Sequence, residues 1–142
     1  LAGEQVAENI KVKIGSATPM REQLEMEVKG RDLMNGLPKA VVINDTQVRE
    51  ALSRSITQII ENIKTTLEAT PPELIADIYE HGIHLTGGGA LLRGLDKEIA
   101  QATKIPVRIA EDPLTCVIRG IGVSLNDISL LNKISVPGSE EV

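Results

Sequence analysis

Three consecutive glycines, Gly87, Gly88 and Gly89, are the residues with the clearest potential for ligand chemistry in this sequence. They lie in the stretch IHLTGGGALLRG at 83–94, after a short apolar run and before a helical pattern. Glycines in such a place let the backbone turn sharply or come close to a ligand. Free amides at a helix start also favour a polar or anionic ligand. Spacing alone leaves a nucleotide-contacting turn and a merely tight turn equally open.

Two familiar phosphate-binding motifs do not fit this stretch. A dinucleotide motif G-x-G-x-x-G that starts at Gly87 requires a glycine where the sequence has Leu92. A phosphate loop requires Lys and then Ser or Thr after its second glycine, but Leu95 and Asp96 follow Gly94. The glycines therefore indicate close approach of a ligand without identifying it.

Other reactive residues have simpler interpretations. His81 and His84 straddle a predicted helix-to-strand junction without the further Cys or His ligands of a typical zinc site, so no metal site is predicted. Cys116 lies on the apolar side of a predicted helix and is interpreted as a buried structural thiol. Asp112 precedes Pro113 and is expected to cap a helix. No catalytic residue is predicted.

The first half of the chain predicts a helix, a strand pair and a long helix. Apolar residues recur at helical spacing over about 3–15, and there Glu8 and Lys11 form an (i, i+3) pair whose simplest interpretation is a solvated ion pair. The stretch LEMEVKG at 24–30 alternates strictly and AVVI at 40–43 follows a turn, which indicates an antiparallel pair. An amphipathic helix over 46–68 follows, with Asn44, Asp45 and Thr46 as candidate caps.

The second half alternates helices and strands. Thr70 and Glu73 form a predicted capping box that starts a helix ending at Gly82. A strand at 83–86, the glycine turn, a helix from about 89 to 102, a strand at 105–110 and a helix from Asp112 through Val123 follow. This alternation is typical of an α/β fold. The polar end at 127–142 predicts a partly disordered segment.

Composition limits the classes of partner. The chain has 142 residues, a net charge of -5 and scattered Lys and Arg, so a nucleic-acid partner is not expected. It has one cysteine, which suits a reducing compartment, and no apolar run approaches the length of a membrane span. Because the sequence begins with Leu1 in a helical pattern, we expect it to be a fragment of a longer protein.

Several stretches together resemble one family. GEQVAENIKVKIGSA, EMEVKGRDL with NGLPK, TPPELIADIYEHGIHLTGGGALLRGLDKEI and IPVRIAEDPLTCVIRGIG resemble the C-terminal half of the MreB family of bacterial actin-like rod-shape proteins. The resemblance covers residues 3 to about 125. It implies an actin-like (ribonuclease H-like) ATPase fold, of which this chain is the second lobe. Residues 1–68 would form an outer α+β subdomain with the strand pair, and 69–126 an inner α/β subdomain.

The resemblance also implies a cofactor and a site. The family binds ATP with Mg²⁺ between two lobes, and the adenosine would lie between a segment of the first helix and the glycine turn. The residues so implied are Glu8, Asn9, Ile10, Lys11, Gly87, Gly88, Gly89, Ala90 and Leu91. The family's phosphate loops and catalytic carboxylate belong to the first lobe and do not occur here. The fragment alone is therefore not expected to hydrolyse ATP.

The implied partners are those of the family's filaments. They are further copies in a head-to-tail filament, proteins of cell-wall synthesis and of the membrane in the rod-shape system, and the membrane surface through the full-length protein. The implied location is the cytoplasm, with membrane-associated filaments. Two alternatives remain open: a non-catalytic α/β interaction module that uses the glycines only as a turn, and the lobe of another actin-like or chaperone-like ATPase.

Overall fold

The computed structural model describes residues 2–126, and the predicted disordered segment at 127–142 lies outside them. The elements in chain order are α1 (Glu4–Ile14), β1 (Glu25–Arg31), β2 (Pro38–Asn44), α2 (Asp45–Glu68), α3 (Pro72–His81), β3 (Ile83–Leu85), α4 (Leu95–Thr103), β4 (Val107–Ile109) and α5 (Cys116–Asn126). A short 3-10 turn, Gly88–Leu91, separates β3 from α4. The mixed α/β class and the antiparallel strand pair predicted from the sequence are confirmed.

The β1–β2 hairpin follows from the alternation in the sequence. The two strands pair antiparallel, with Met26 opposite Ile43 and Val28 opposite Val41. Met26 and Val28 are half-buried while the charged residues between them are exposed. Successive side chains of a strand point to opposite faces, so the alternating sequence gives the hairpin one packed face and one solvated face.

Helix α2 begins with a reciprocal cap at Asn44. The Asn44 side chain accepts a hydrogen bond from the Gln47 amide at 2.9 Å, and the Gln47 side chain accepts one from the Asn44 amide at 3.1 Å. Asp45, another candidate cap, is instead buried: its carboxylate accepts from the Leu24 amide at 3.2 Å and pairs with Arg49 at 3.0 Å. These bonds fix the base of the hairpin to the start of α2.

A β-α-β unit forms the second half of the fold. β3 and β4 are parallel, with Ile83 opposite Val107, and α4 lies in the connection between them. Ile99 on α4 is fully buried and packs in one apolar cluster with Ala17, Ile56 and Leu95. The core therefore joins α2 and α4.

Two helix starts differ from the sequence prediction. The helix predicted from about residue 89 begins only at Leu95, because Leu92 is extended after the 3-10 turn and Gly94 has φ of 78°, which interrupts the helical path. The predicted capping box of Thr70 and Glu73 is wrong. The Thr70 hydroxyl donates to the Thr66 carbonyl at 2.7 Å, at the end of α2, and α3 has no side-chain cap.

Helix α5 is apolar yet largely exposed. Its large exposed side chains are Val117, Ile118, Ile121, Val123 and Leu125. Within residues 2–126, no helix has both the length and the apolar character required to cross a bilayer.

Residues 14–18 and 93–95 pack closely, and we call this region the joint. The Ala17 amide donates to the Arg93 carbonyl at 2.7 Å, and Ser16 pairs with Arg93 in a parallel bridge. A β-carbon at Gly94 would lie 2.1 Å from the Thr18 hydroxyl. Only glycine fits this contact. The positive φ at residue 94 is a second reason for glycine there, since other residues rarely adopt it.

We expect Ile99→Ala to lower the free energy of unfolding by about 2–5 kcal/mol, because the change leaves a cavity in the shared cluster. Ile118→Ala is the matched control, since Ile118 is 69% exposed, and should change stability by less than about 0.5 kcal/mol. Urea unfolding of both variants measures the difference. Equal effects of the two changes would contradict this description of the core.

The joint predicts a second pair of variants. Gly94→Ala should destabilise the chain by at least about 2 kcal/mol, since the new methyl group clashes with Thr18 and the left-handed backbone penalises alanine. In the part of the chain that the structure describes, a β-carbon at Gly120 on α5 meets nothing within 4 Å, so Gly120→Ala should not be destabilising. Thermal unfolding of the two variants is the test, and a stable Gly94→Ala variant would show that the joint is loose.

Candidate functional site

The glycine turn lies at the carboxyl end of β3. Gly87 adopts φ 78°, and its amide donates to the Pro113 carbonyl at 2.7 Å. The Ala90 amide then bonds the Gly87 carbonyl at 3.2 Å and closes the 3-10 turn. In α/β folds, ligands commonly bind outside the carboxyl ends of parallel strands. The turn is therefore at the edge of the sheet where a ligand is expected.

Among residues 2–126, no contact explains why residues 88 and 89 are glycines. Neither Gly88 nor Gly89 has a positive φ. A β-carbon at Gly88 would be in ordinary contact with Leu114 at 3.4 Å, and one at Gly89 would meet no atom within 4 Å. Both glycines are exposed, so the turn presents bare backbone to the surroundings.

The two residues after the glycines point in opposite directions. Ala90 is only 3% exposed and packs inward, whereas Leu91 is 55% exposed. Of the five residues implied for this wall, Gly88, Gly89 and Leu91 are therefore exposed. Ala90 anchors the turn from inside.

The segment of α1 offers polar groups to the solvent. The Lys11 ammonium lies 2.5 Å from the Glu8 carboxylate, an (i, i+3) pair as the sequence predicted. The side chains of Lys11 and Glu8 are 42% and 61% exposed, so the pair contributes little to stability and stays accessible. Asn9 is exposed, while Ile10 is half-buried with the inner side of the helix. Glu8, Asn9 and Lys11 are thus the accessible members of this set.

Arg93 connects the two segments. Its guanidinium donates to the Val12 carbonyl and to the Gly15 carbonyl, each at 3.2 Å. The last carbonyls of a helix lack intrahelical partners, so Arg93 completes the end of α1. Val12 directly follows Lys11, and Arg93 comes two residues after Leu91. The α1 segment and the glycine turn are therefore held at one joint.

The α1 segment and the glycine turn are connected through Arg93 and do not bond to each other directly. Within residues 2–126, no hydrogen bond or ion pair joins residues 8–11 to residues 87–91. The sequence prediction missed Arg93, because its two acceptors are 81 and 78 residues away. No local pattern marks a contact between residues so far apart in the chain.

A groove lies at the other end of β3. It has a volume of about 470 Å³ and lies between α2, α3 and the start of β3. Its lining residues are Ile59, Asn62, Ile63, Thr66, Leu67, Ile78, Gly82 and Ile83. We call it the α2–α3 groove. It shares no residue with the α1 segment or the glycine turn.

The two histidines lie on α3 and β3, before the glycine turn. His81 is exposed at the end of α3, with Nδ1 3.1 Å from the Asp77 carbonyl, and His84 is exposed on β3. In the described part of the chain, no three His, Cys, Asp or Glu side chains converge as metal ligands do.

The segment before α5 corrects two expectations. Asp112 does not cap the helix directly: its carboxylate accepts from the Thr115 hydroxyl in the preceding turn, and its carbonyl accepts from the Cys116 amide at 3.0 Å. Cys116 is half-buried rather than buried, and its thiol donates to the Pro113 carbonyl at 3.5 Å. This segment matters to the site because Pro113 and Leu114 contact the glycine turn.

Comparison with known sequences identifies relatives that match more than nine tenths of the chain. The family model described as MreB/Mbl protein matches residues 1–133. Cell shape-determining protein Mbl of Bacillus subtilis is 45% identical over 133 residues, which cover 94% of this chain and 40% of the relative. Cell shape-determining protein MreB of Escherichia coli K12 is 50% identical over 130 residues, covering 92% of this chain and 38% of the relative. The chain spans about 40% of the length of these curated relatives.

Solved structures agree with the sequence matches. MreB5 of Spiroplasma citri bound to ADP superposes with a TM-score of 0.87 at 36% identity, over 94% of this chain and 41% of that one. The same protein bound to AMPPNP gives a TM-score of 0.86 at 36% identity, over 93% of this chain and 40% of that one. The actin-like fold and the family resemblance predicted from the sequence are confirmed. This chain belongs to the MreB/Mbl family.

Proposed function

We propose that this chain is the adenosine-binding part of an actin-like bacterial cytoskeletal ATPase that determines rod shape. The two walls of the proposed adenosine site are residues 8–11 on α1 and residues 87–91 at the glycine turn. The family and its relatives, which are named as cell shape-determining proteins, support the cellular role. The structures of MreB5 of Spiroplasma citri with bound ADP and AMPPNP support an adenine nucleotide as the ligand.

The bare surface at Gly88 and Gly89 is the observation that carries the proposal. The fold would accept a β-carbon at both positions. Because no residue within 2–126 requires glycine there, we assign the reason to a ligand that approaches the backbone. A flat peptide surface accommodates a nucleoside where any side chain would displace it.

The residues of the α1 segment, proposed as the wall opposite the glycine turn, fit the polar parts of a nucleoside. The Glu8 carboxylate can accept hydrogen bonds from ribose hydroxyls, and the Lys11 ammonium can donate to ribose or base acceptors. The exposed Leu91 side chain offers an apolar contact for the purine. Ile10 and Ala90 act from inside by fixing the two walls.

The triphosphate and Mg²⁺ require groups that this sequence does not contain. Phosphoryl transfer depends on phosphate loops, a metal and a residue that orients water. We propose that the rest of the longer protein supplies these groups. On this proposal, the chain alone binds the nucleoside part and does not hydrolyse ATP.

Assembly is the other part of the proposal. Residues 1–68 would form an outer subdomain and 69–126 an inner one, and copies would associate head-to-tail into cytoplasmic, membrane-associated filaments that engage cell-wall synthesis and membrane proteins. The exposed apolar side chains of α5 and of the β1–β2 turn support contacts beyond this chain. Head-to-tail contacts join two different surfaces and can repeat without closure.

Gly89→Val tests the nucleotide site. The added side chain projects into space that the ligand would occupy, so the dissociation constant for a fluorescent adenine nucleotide should rise at least about tenfold. Gly120→Val is the matched control, because its β-carbon also meets nothing within 4 Å but lies on α5. The titration should be made on this chain and on a longer protein that contains it.

Two results would count against the proposal. Equal affinities of Gly89→Val and the parent would show that the glycine turn is not a wall of the site. Failure of the longer protein to bind the nucleotide would remove the nucleotide function altogether.

A further inference from the structure

Residues 111–115, which lie between β4 and α5, contact the glycine turn. We call them the 111–115 turn. The Gly87 amide donates to the Pro113 carbonyl at 2.7 Å, and a β-carbon built at Gly88 would lie 3.4 Å from the Leu114 side chain. The position of the glycine turn therefore depends on the conformation of the 111–115 turn.

Asp112 gives the 111–115 turn its shape. Its φ of 48° is positive, and among residues 2–126 Lys104 is the one other non-glycine residue with a positive φ. Aspartate tolerates this region better than most residues, because its short side chain can form local hydrogen bonds. Here the Asp112 carboxylate accepts from the Thr115 hydroxyl, and the Asp112 carbonyl accepts from the amides of Thr115 and Cys116, each at 3.0 Å. These bonds hold Asp112 in a conformation that residues without a short polar side chain rarely adopt.

The bond between the Asp112 and Thr115 side chains spans Pro113. The ring of Pro113 fixes its φ, so the direction of its carbonyl depends on how the residues on either side are held. That carbonyl accepts from the Gly87 amide and also from the Cys116 thiol, which lies 3.5 Å away. Loss of the Asp112 carboxylate would let the turn relax to a commoner backbone conformation, and the Pro113 carbonyl would move away from Gly87.

The Asp112 side chain does not act as a cap on α5. A capping side chain accepts a hydrogen bond from a backbone amide in the first turn of its helix. The partner of the Asp112 carboxylate is instead the hydroxyl of Thr115, which precedes the first residue of α5. Asp112 is also exposed, and surface side chains ordinarily contribute little to overall stability. Its effect should therefore be local to the two turns.

We propose that Asp112 is a positioning residue of the nucleotide site: it holds the Pro113 carbonyl where that carbonyl accepts the Gly87 amide. Asp112 itself would not touch the nucleotide. The inference rests on the proposed adenosine site and adds how the glycine turn, its second wall, is fixed. Since the Gly87 amide is bonded to Pro113, the ligand would meet the bare backbone at Gly88 and Gly89.

Amide hydrogen exchange at Gly87 in the 142-residue chain tests the contact without any nucleotide. Asp112→Ala and Thr115→Val each remove one side of the bond, so exchange at Gly87 should accelerate at least about tenfold, while the middle of α2 keeps its protection. Asp112→Asn keeps an oxygen acceptor and tolerates a positive φ, so it should stay close to the parent. Thr65→Val is the matched control, because it removes an exposed hydroxyl that donates to the Glu61 carbonyl at 3.0 Å on α2. It should leave exchange at Gly87 unchanged.

Nucleotide titration of a longer protein that contains this chain links the contact to the site. Asp112→Ala and Thr115→Val should each raise the dissociation constant for a fluorescent adenine nucleotide at least about threefold. The double variant should bind no more weakly than either single variant, because both changes remove the same bond. Asp112→Asn and Thr65→Val should bind like the parent. The thermal unfolding midpoint should change little in all of them, which separates positioning from loss of the fold.

Three results would overturn the inference and leave the proposed nucleotide site in place. They are unchanged exchange at Gly87 in Asp112→Ala and Thr115→Val, faster exchange without any loss of affinity, and an Asp112→Asn variant that behaves like Asp112→Ala. The last result would assign the effect to charge and not to the hydrogen bond. A parent protein that binds no nucleotide would overturn both proposals, and exchange at Gly87 would then show separately whether Asp112 holds the turn.

Discussion

The candidate site depends on one contact, in which the guanidinium of Arg93 binds the end of α1. It donates to the Val12 and Gly15 carbonyls, across 81 and 78 residues of sequence. The close packing of Gly94 against Thr18 allows the backbones to meet there. Because the α1 segment ends at this joint and the glycine turn leads into it, both proposed walls take their positions from residues that would not touch the nucleotide.

The core behind the joint gives it rigidity. Ala17 from the joint, Ile56 from α2 and Ile99 from α4 are buried in the same apolar cluster. The strand that carries the glycine turn packs on this cluster through Ile83 and Leu85. Close-packed protein interiors respond to small changes in side-chain volume. The proposed walls of the site are therefore supported by the same side chains that stabilise the fold.

Local sequence patterns predicted most elements and the pairing of β1 with β2, but none of the contacts at the joint. Alternation located β1 and helical periodicity located α2, since both have one buried and one exposed face. The start of α4 was predicted at about residue 89 instead of Leu95, because no local pattern showed that Gly94 adopts a positive φ and packs against Thr18, far away in the chain. The proposed site residues came from the family resemblance and not from spacing, which left the glycine turn ambiguous. Arg93 had no local signal at all.

The most direct measurement is hydrogen exchange combined with nucleotide titration on Arg93→Ala. If Arg93 holds α1 at the glycine turn, amide exchange in the last turns of α1 should accelerate at least about tenfold while the middle of α2 keeps its protection. The affinity of the Arg93→Ala variant for a fluorescent adenine nucleotide should also fall. Unchanged exchange in α1, together with unchanged nucleotide affinity, would contradict the central role of this contact.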